Sequence, residues 1–237
     1  MQTDVRFAAA RGNMISATSQ DDVGRIWFIG NAWPNGHRIK EFVWSAALDP
    51  RSGLRFHLHM ESANYFEEDD EDDDYQEPEF DSFDPDDDWK SKEVWSNYRS
   101  CTLSSTQWGH AGLLVGTESA PFDPSSLFDQ TFEADPLPVN LDEWEKLGFG
   151  LYLTGHDSAA AHSIRFRKSA EPQSVELDWT GKIALTYIGS TDFRYSFRAK
   201  IGPVRFKGIT LPPGLDRAKA DELLAKCVTS PAALRAL

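Results

Sequence analysis

Apolar and polar residues alternate with a period of two through the C-terminal third of the chain. In segment 192–201 the apolar side chains fall on one face, and basic or small polar side chains fall on the other. Segments 163–168 and 203–208 repeat this pattern. Because successive side chains of a β-strand point to opposite faces, these segments predict half-buried antiparallel strands.

Two further apolar segments, 175–179 and 182–188, lie between these strands. The dipeptide Thr180-Gly181 predicts a turn that joins them, and the sequence Gly-Ser-Thr-Asp at 189–192 predicts the next turn. The C-terminal third is therefore expected to form an antiparallel meander.

The first half of the chain has a similar pattern. Strands are expected at 25–30, 39–48 and 54–61, separated by turn sequences that contain Pro, Asn and Gly. Two more strands are expected near 93–103 and 109–117.

Helical signals occur in two places. Asn140 as the N-cap and Gly148 as the C-terminal stop predict a short helix over 141–147. Apolar residues at helical spacing after a Pro-Pro-Gly turn predict a C-terminal helix over 215–228 that packs on a sheet. The predicted fold class is therefore α+β and β-rich, with mainly antiparallel sheets.

Proline residues punctuate segment 119–147, which we interpret as a connector that contains the short helix. An N-terminal β-rich subdomain, 1–118, is expected to carry an acidic insertion at 67–88. A C-terminal subdomain, 148–237, is expected to combine the antiparallel sheet with the C-terminal helix. One composite domain is the alternative to two subdomains.

Charge is concentrated in one place. Residues 67–88 hold fifteen Asp or Glu in twenty-two positions and no Lys or Arg, whereas the rest of the chain has a net charge of +1. The segment therefore accounts for the net charge of −14 of the whole chain. A block of like charge in a balanced chain predicts either a solvated arm or a surface for a basic partner.

Composition excludes several classes of protein. The two cysteines, Cys101 and Cys227, are far apart, which argues against a disulfide scaffold or a zinc cluster. A leader peptide and a membrane span are not expected, and the default location is cytoplasmic. We find no nucleophile elbow and no phosphate-binding glycine loop, so we expect binding without catalysis and no cofactor.

The alternative is a metal-dependent enzyme, or a metal-binding β protein, with its site on the strand at 54–61. Period-two alternation places Arg55, His57, His59 and Glu61 on one face. Two imidazoles and a carboxylate are ligands for a transition metal, so His57, His59 and Glu61 are the candidate set. The competing interpretation is a solvated polar face of an amphipathic strand.

The main hypothesis is that the acidic segment occludes a basic site on a protein partner, such as a toxin or another nucleic-acid-binding protein. Its carboxylates would imitate phosphates, as in bacterial immunity proteins and nucleic-acid mimics, and its aromatic residues would add apolar contacts. The predicted partner-binding residues are Glu67, Glu68, Asp69, Asp70, Glu71, Asp72, Asp73, Asp74, Tyr75, Phe80, Phe83, Asp86, Asp87, Asp88 and Trp89.

Tryptophans divide into two predicted groups. Trp27, Trp44 and Trp179 lie in predicted strands and are expected to be buried, whereas Trp33, in a turn, and Trp89, at the end of the acidic run, are expected to be exposed anchors.

Two alternatives to partner binding remain. The acidic segment could fold back on the chain's own basic strands and mask a polyanion-binding surface, or it could raise solubility alone. The expected basic surface consists of Arg165, Arg167, Arg194, Arg198, Lys200, Arg205 and Lys207. Direct nucleic-acid binding is the weaker expectation, because the chain has no aromatic RNA-binding motif.

Overall fold

A computed structural model describes residues 23–68, 85–211 and 214–237. The strands are β1 (Gly24–Phe28), β2 (His37–Asp49), β3 (Gly53–Ser62), β4 (Thr102–Ser104), β5 (Leu113–Gly116), β6 (Phe132–Ala134), β7 (Gly150–Tyr152), β8 (His156–Lys168), β9 (Val175–Ala184), β10 (Tyr195–Val204) and β11 (Phe206–Thr210). The α-helices are α1 (Pro85–Lys90), α2 (Lys92–Trp95), α3 (Arg217–Cys227) and α4 (Pro231–Arg235), and short 3-10 helices span Pro124–Ser126, Leu141–Lys146 and Thr186–Ile188. Across these three ranges, no helix has the length and apolar run needed to cross a lipid bilayer.

Eight strands form a closed, barrel-like sheet in the order β1-β2-β3-β4-β7-β8-β9-β10, and β10 pairs back with β1. All neighbouring pairs in this ring are antiparallel. The remaining strands extend its edges: β5 pairs with β3, β6 with β8, and β11 runs parallel to β2. The β-rich α+β prediction, with mainly antiparallel pairing, is confirmed.

Strands from before and after the connector 119–147 lie side by side in this ring. The pairing of β1 with β10 and of β4 with β7 joins them at two places. One continuous cluster of buried side chains fills the interior. Near its centre, the ring centroid of Trp44 lies 4.8 Å from that of Phe166 and 5.5 Å from that of Phe56.

Gly181 lies within a strand, so the turn predicted at Thr180-Gly181 is wrong. β9 continues from Val175 to Ala184 without a break. A Cβ atom at position 181 would lie 2.5 Å from Cε1 of Phe197, closer than the two side chains could approach. The absence of a side chain at Gly181 therefore lets Phe197 of the neighbouring strand pack closely. From sequence alone, such a glycine looks the same as one in a turn.

A short helix followed by turns replaces most of the strand predicted near 93–103. Ser91 caps α2 by accepting a hydrogen bond from the backbone N–H of Val94, and only Thr102–Ser104 is extended. Trp95 is fully buried, and its ring centroid lies 5.1 Å from that of Phe28. Burial of this one indole decides the local structure.

The two predicted helices are confirmed in position. Asn140 caps the first, which is a 3-10 helix over Leu141–Lys146. The second is α3, and Ala220, Leu224 and Cys227 form its buried face.

His162 lies inside the closed sheet with no exposed surface. Its Nδ1 accepts a hydrogen bond of 3.2 Å from the indole Nε1–H of Trp179, and its Nε2 lies 3.7 Å from a carboxylate oxygen of Asp135. Burial lowers the pKa of His162 from 6.5 to about 3. The imidazole is therefore neutral in the folded chain at physiological pH.

We expect His162 to make the folded chain sensitive to acid. Between pH 6.5 and about 3 the unfolded chain binds a proton at this residue that the folded chain excludes, so stability falls as the pH falls. The expected slope is about 1.4 kcal/mol per pH unit. Burial raises the pKa of Asp135 and of Asp157, and these groups act in the opposite direction.

The quantity to compare is therefore the free energy of unfolding of the native chain and of His162→Gln. Urea unfolding measures it for both chains from pH 7 to pH 4. The advantage of the native chain should shrink by about 1.4 kcal/mol per pH unit below pH 6. A difference that stays constant over this range would contradict the prediction.

Candidate functional site

The start of the acidic segment is held by two arginines on neighbouring strands. A carboxylate oxygen of Glu68 lies 2.9 Å from Nη2 of Arg25, and one of Glu67 lies 2.6 Å from Nη2 of Arg38. Arg25 and Arg38 face each other across β1 and β2. Each ion pair is partly exposed and contributes at most about 1 kcal/mol, so the pairs orient the segment more than they stabilise the fold.

The end of the segment is held by β10, by Arg194 just before it and by the 3-10 helix Thr186–Ile188. Asp86 accepts a hydrogen bond of 2.8 Å from the hydroxyl of Tyr195 and lies 3.3 Å from Nη2 of Arg194. Asp88 accepts a hydrogen bond of 3.3 Å from the hydroxyl of Tyr187. Burial and the neighbouring Asp88 carboxylate raise the pKa of Tyr187.

Trp89 fixes this end of the segment in the core. Its side chain is 2% exposed, its ring stacks on that of Tyr195 with centroids 4.2 Å apart, and its Nε1–H donates to the carbonyl of Ile29. Trp33 is 7% exposed. The expected exposure of Trp33 and Trp89 is therefore wrong, because both indoles complete the aromatic cluster around Trp95.

Trp27, Trp44 and Trp179 were expected to be buried in strands, and this is confirmed for two of the three. Trp44 and Trp179 are fully buried. Trp27 lies half-buried on the outer face of β1, where the guanidinium of Arg198 sits 4.6 Å from its ring centroid.

Of the other predicted partner-binding residues, the structure describes only Asp87. Asp87, in α1, is half-exposed. Predicted residues that lie outside the described residues are Asp69, Asp70, Glu71, Asp72, Asp73, Asp74, Tyr75, Phe80 and Phe83.

The expected basic surface is interrupted by acidic residues. β9 lies between β8 and β10, and its outer face carries Glu176 and Asp178. Asp178 is paired in register with both Arg165 and Lys200 and forms an ion pair with Arg167. The acidic residues of this intervening strand thus give the face a mixed charge.

The outer face of β3 carries the predicted polar residues Arg55, His57, His59 and Glu61. Among the residues that the structure describes, Glu41, His59 and Glu61 could hold a metal ion, because their ligand atoms lie within 4.8 Å of one another. His57 is not in this set. The Nδ1 of His57 lies 2.9 Å from the hydroxyl of Ser105, and the Nδ1 of His59 lies equally close to the hydroxyl of Ser104. Glu41 enters from β2, opposite Glu61, so cross-strand pairing supplies a ligand that strand alternation could not reveal.

Cys101 lies in a buried polar cluster at the end of the sheet near Tyr65. Burial raises the pKa of Cys101, so this thiol keeps its proton. Asp157 lies nearby, and one of its oxygens accepts hydrogen bonds from the N–H and hydroxyl of Thr154 and from the N–H of Gly155.

Sequence reasoning missed an aromatic cleft of about 360 Å³ beside β7. Its aromatic lining includes Trp108, His110, Trp144, Tyr152 and His156. These residues come from a loop, a 3-10 helix and two strands, so no sequence spacing relates them. The available signal was compositional: eight tryptophans are many for this chain length.

Comparison with protein-family models, curated proteins and solved structures gives no match to this chain.

Proposed function

We propose that this protein is a non-catalytic binding protein whose acidic segment occludes a basic site on a protein partner. The observation that carries the proposal is the attachment of both ends of the segment to the closed sheet. Glu67 and Glu68 are held on β1 and β2, and Asp86, Asp88 and Trp89 are held beside β10.

These three strands are neighbours, with β1 between β2 and β10. The acidic segment therefore leaves and rejoins the body of the protein on one side of the sheet. In general, holding both ends of a segment lowers the entropy cost of presenting it to a partner. A simple solubility tail would gain nothing from such attachment.

The charge between the two tethers supports the same function. Residues 69–84 contain ten Asp or Glu and no Lys or Arg. The arginines that hold the ends, Arg25, Arg38 and Arg194, already contact Glu68, Glu67 and Asp86. A basic partner surface is the chemistry that would complement these ten carboxylates, and Tyr75, Phe80 and Phe83 would add apolar contacts to it.

The test replaces residues 69–84 by sixteen Gly and Ser residues, so that the chain length between the tethers is kept. The full chain should capture a basic protein from its native cell, and the Gly/Ser variant should not. The matched control keeps the composition of 69–84 but shuffles its order. If the Gly/Ser variant captures the same partner as the full chain, the proposal is wrong.

The same variant separates occlusion from self-masking. If the segment masks the chain's own basic residues, the Gly/Ser variant should gain salt-sensitive binding to heparin, a polyanion. Partner occlusion predicts no such gain. We expect no gain in heparin binding, because the acidic residues of β9 lie among the basic residues of β8 and β10.

A second candidate function is metal binding by Glu41, His59 and Glu61. One imidazole and two carboxylates suit Zn²⁺, with water completing the coordination. Lys40 opposes it, since its Nζ lies 3.2 Å from a carboxylate oxygen of Glu61.

We expect His59→Ala to abolish saturable Zn²⁺ binding and His57→Ala to preserve it, measured by isothermal titration calorimetry. Lys40→Ala should tighten binding, because it removes the cation that competes for Glu61. If the two histidine variants bind Zn²⁺ equally, this set of ligands is incorrect.

A further inference from the structure

The aromatic cleft opens beside β8 between two of its pairing partners. β7 pairs with β8 at Asp157 and His156, whereas β6 begins to pair with it at His162. Ser158 and Ala159, which lie between these pairings, line the cleft. Its volume of about 360 Å³ is within the range of small-ligand sites.

Gly150 gives the cleft its shape. A Cβ atom at this position would lie 2.2 Å from Nε2 of His110 and 2.8 Å from Cε3 of Trp108. Only glycine therefore lets both rings lie against β7. On the far side, the ring of Trp108 lies 4.3 Å from that of Tyr152 between centroids.

Trp144 is 44% exposed, the one tryptophan of the eight in the chain that is exposed in the structure. Its ring packs edge-on against that of His110, with the centroids 5.3 Å apart. An indole left nearly half in water loses part of the gain from burial, and exposed aromatic surface beside a cleft is typical of binding sites.

The surroundings of the cleft are negative. No Lys or Arg is among its lining residues in the described chain. Burial lowers the pKa of His110, and hydrogen bonds to the backbone at Trp144 and Leu147, followed by the Glu145 carboxylate, partly offset this. Glu145 follows Trp144, a lining residue, in the 3-10 helix. Lys146 is held in an ion pair by Glu143.

Asp157 lies under the cleft and is 7% exposed. One of its carboxylate oxygens accepts three hydrogen bonds, while no hydrogen bond of normal geometry reaches the other, Oδ1, in the described chain. Burial raises the pKa of Asp157, and the backbone N–H of Tyr187 is a nearby donor that partly offsets this rise. A buried carboxylate with an unsatisfied oxygen is costly unless a cation or donor compensates it.

We propose that this cleft binds a quaternary ammonium group. Aromatic faces attract a cation through their quadrupole, and a methylated ammonium gives up little hydration on entering an apolar pocket. A metal ion would need several oxygen or nitrogen ligands converging on it, and in the described chain the ligand atoms of His110, His156 and Asp157 do not form such a set. Glu145 and Asp157 supply the negative field that a neutral ligand could not use.

The test is a titration of the full ¹⁵N-labelled chain with choline and with its neutral isostere 3,3-dimethyl-1-butanol, read from the indole N–H resonances. Choline should shift the resonances of Trp108 and Trp144 and leave those of Trp44 and Trp179 unchanged. The neutral isostere should bind at least about fivefold more weakly.

Variants locate the site. Trp144→Leu should weaken choline binding by about fivefold or more, and Glu145→Gln should weaken it less and reduce its dependence on salt. Trp27→Leu, on the outer face of β1, is the matched control and should bind as the native chain does. The Gly/Ser replacement of 69–84 should also bind normally, because the cleft does not use the acidic segment.

Three results would overturn the inference. The first is equal affinity for choline and the neutral isostere, which would indicate an apolar site without a preference for cations. The second is loss of binding in Trp27→Leu equal to that in Trp144→Leu. The third is a response of the cleft indoles to methyl glucoside but not to choline, which would indicate a sugar-stacking site.

Discussion

Replacing Trp89 with alanine is expected to lower the free energy of unfolding by about 3–5 kcal/mol, the usual cost of removing a fully buried tryptophan. The indole stacks on Tyr195 and packs against Trp95, and its Nε1–H donates to the carbonyl of Ile29. The variant would leave a cavity and an unsatisfied carbonyl at the point where the acidic segment rejoins the sheet. Urea unfolding measures the change.

Two variants sharpen this experiment. Trp89→Phe keeps an aromatic ring over Tyr195 and removes the hydrogen bond to Ile29, so its cost should be smaller, about 1–3 kcal/mol. Trp144→Ala removes an exposed indole and should change stability by only about 0.5 kcal/mol. Equal effects of Trp89→Ala and Trp144→Ala would mean that Trp89 is the exposed anchor that its sequence context suggested.

Neutralising the ten acidic residues of 69–84 to Asn and Gln should slow association with the captured basic partner by about tenfold or more at low salt. Opposite charges steer two proteins together over a distance of about 30 Å at 0.01 M salt but only about 10 Å at 0.1 M. The dependence of the association rate on ionic strength should therefore weaken in the variant. Stopped-flow fluorescence across a salt series gives both quantities.

A matched variant changes the aromatic residues of the segment and leaves its charge unchanged. Replacing Tyr75, Phe80 and Phe83 with Ser should leave the association rate almost unchanged and should speed dissociation, because apolar contacts form after the encounter. If the charge-neutralised chain associates at the native rate in low salt, electrostatic steering plays no part in recognition.

Local sequence patterns were sufficient for the main strands and both predicted helices. The alternation in β10 places Tyr195, Phe197 and Ala199 inside the sheet, as a period of two requires. Asn140 predicted the start of the 3-10 helix, since the cap is a contact between residues close in sequence. Such features depend on neighbours along the chain and can be predicted from it.

Errors arose where one long-range contact outweighed a local preference. Gly181 was interpreted as part of a turn, although it provides space for Phe197 of the next strand. Trp89 was interpreted as an exposed anchor because acidic residues precede it, although its ring is buried against β10. Neither partner could be identified without the strand order.

In the candidate sites too, local sequence pattern predicted some of the residues and long-range contacts supplied the others. Strand alternation grouped His57, His59 and Glu61, whereas cross-strand pairing brings Glu41 to His59 and Glu61 and leaves His57 beside Ser105. The aromatic cleft could not be predicted, because its residues come from separate elements that meet only when the sheet closes.

By itself, the sequence determined the alternation that makes this a β-rich chain and the concentration of its net negative charge in one segment. Both are properties of residue order and composition. Tertiary structure alone decided that this segment is held at both ends beside three neighbouring strands, and that the residues of the aromatic cleft meet. Closure of the sheet sets these distances, because it brings together residues that are far apart in the chain.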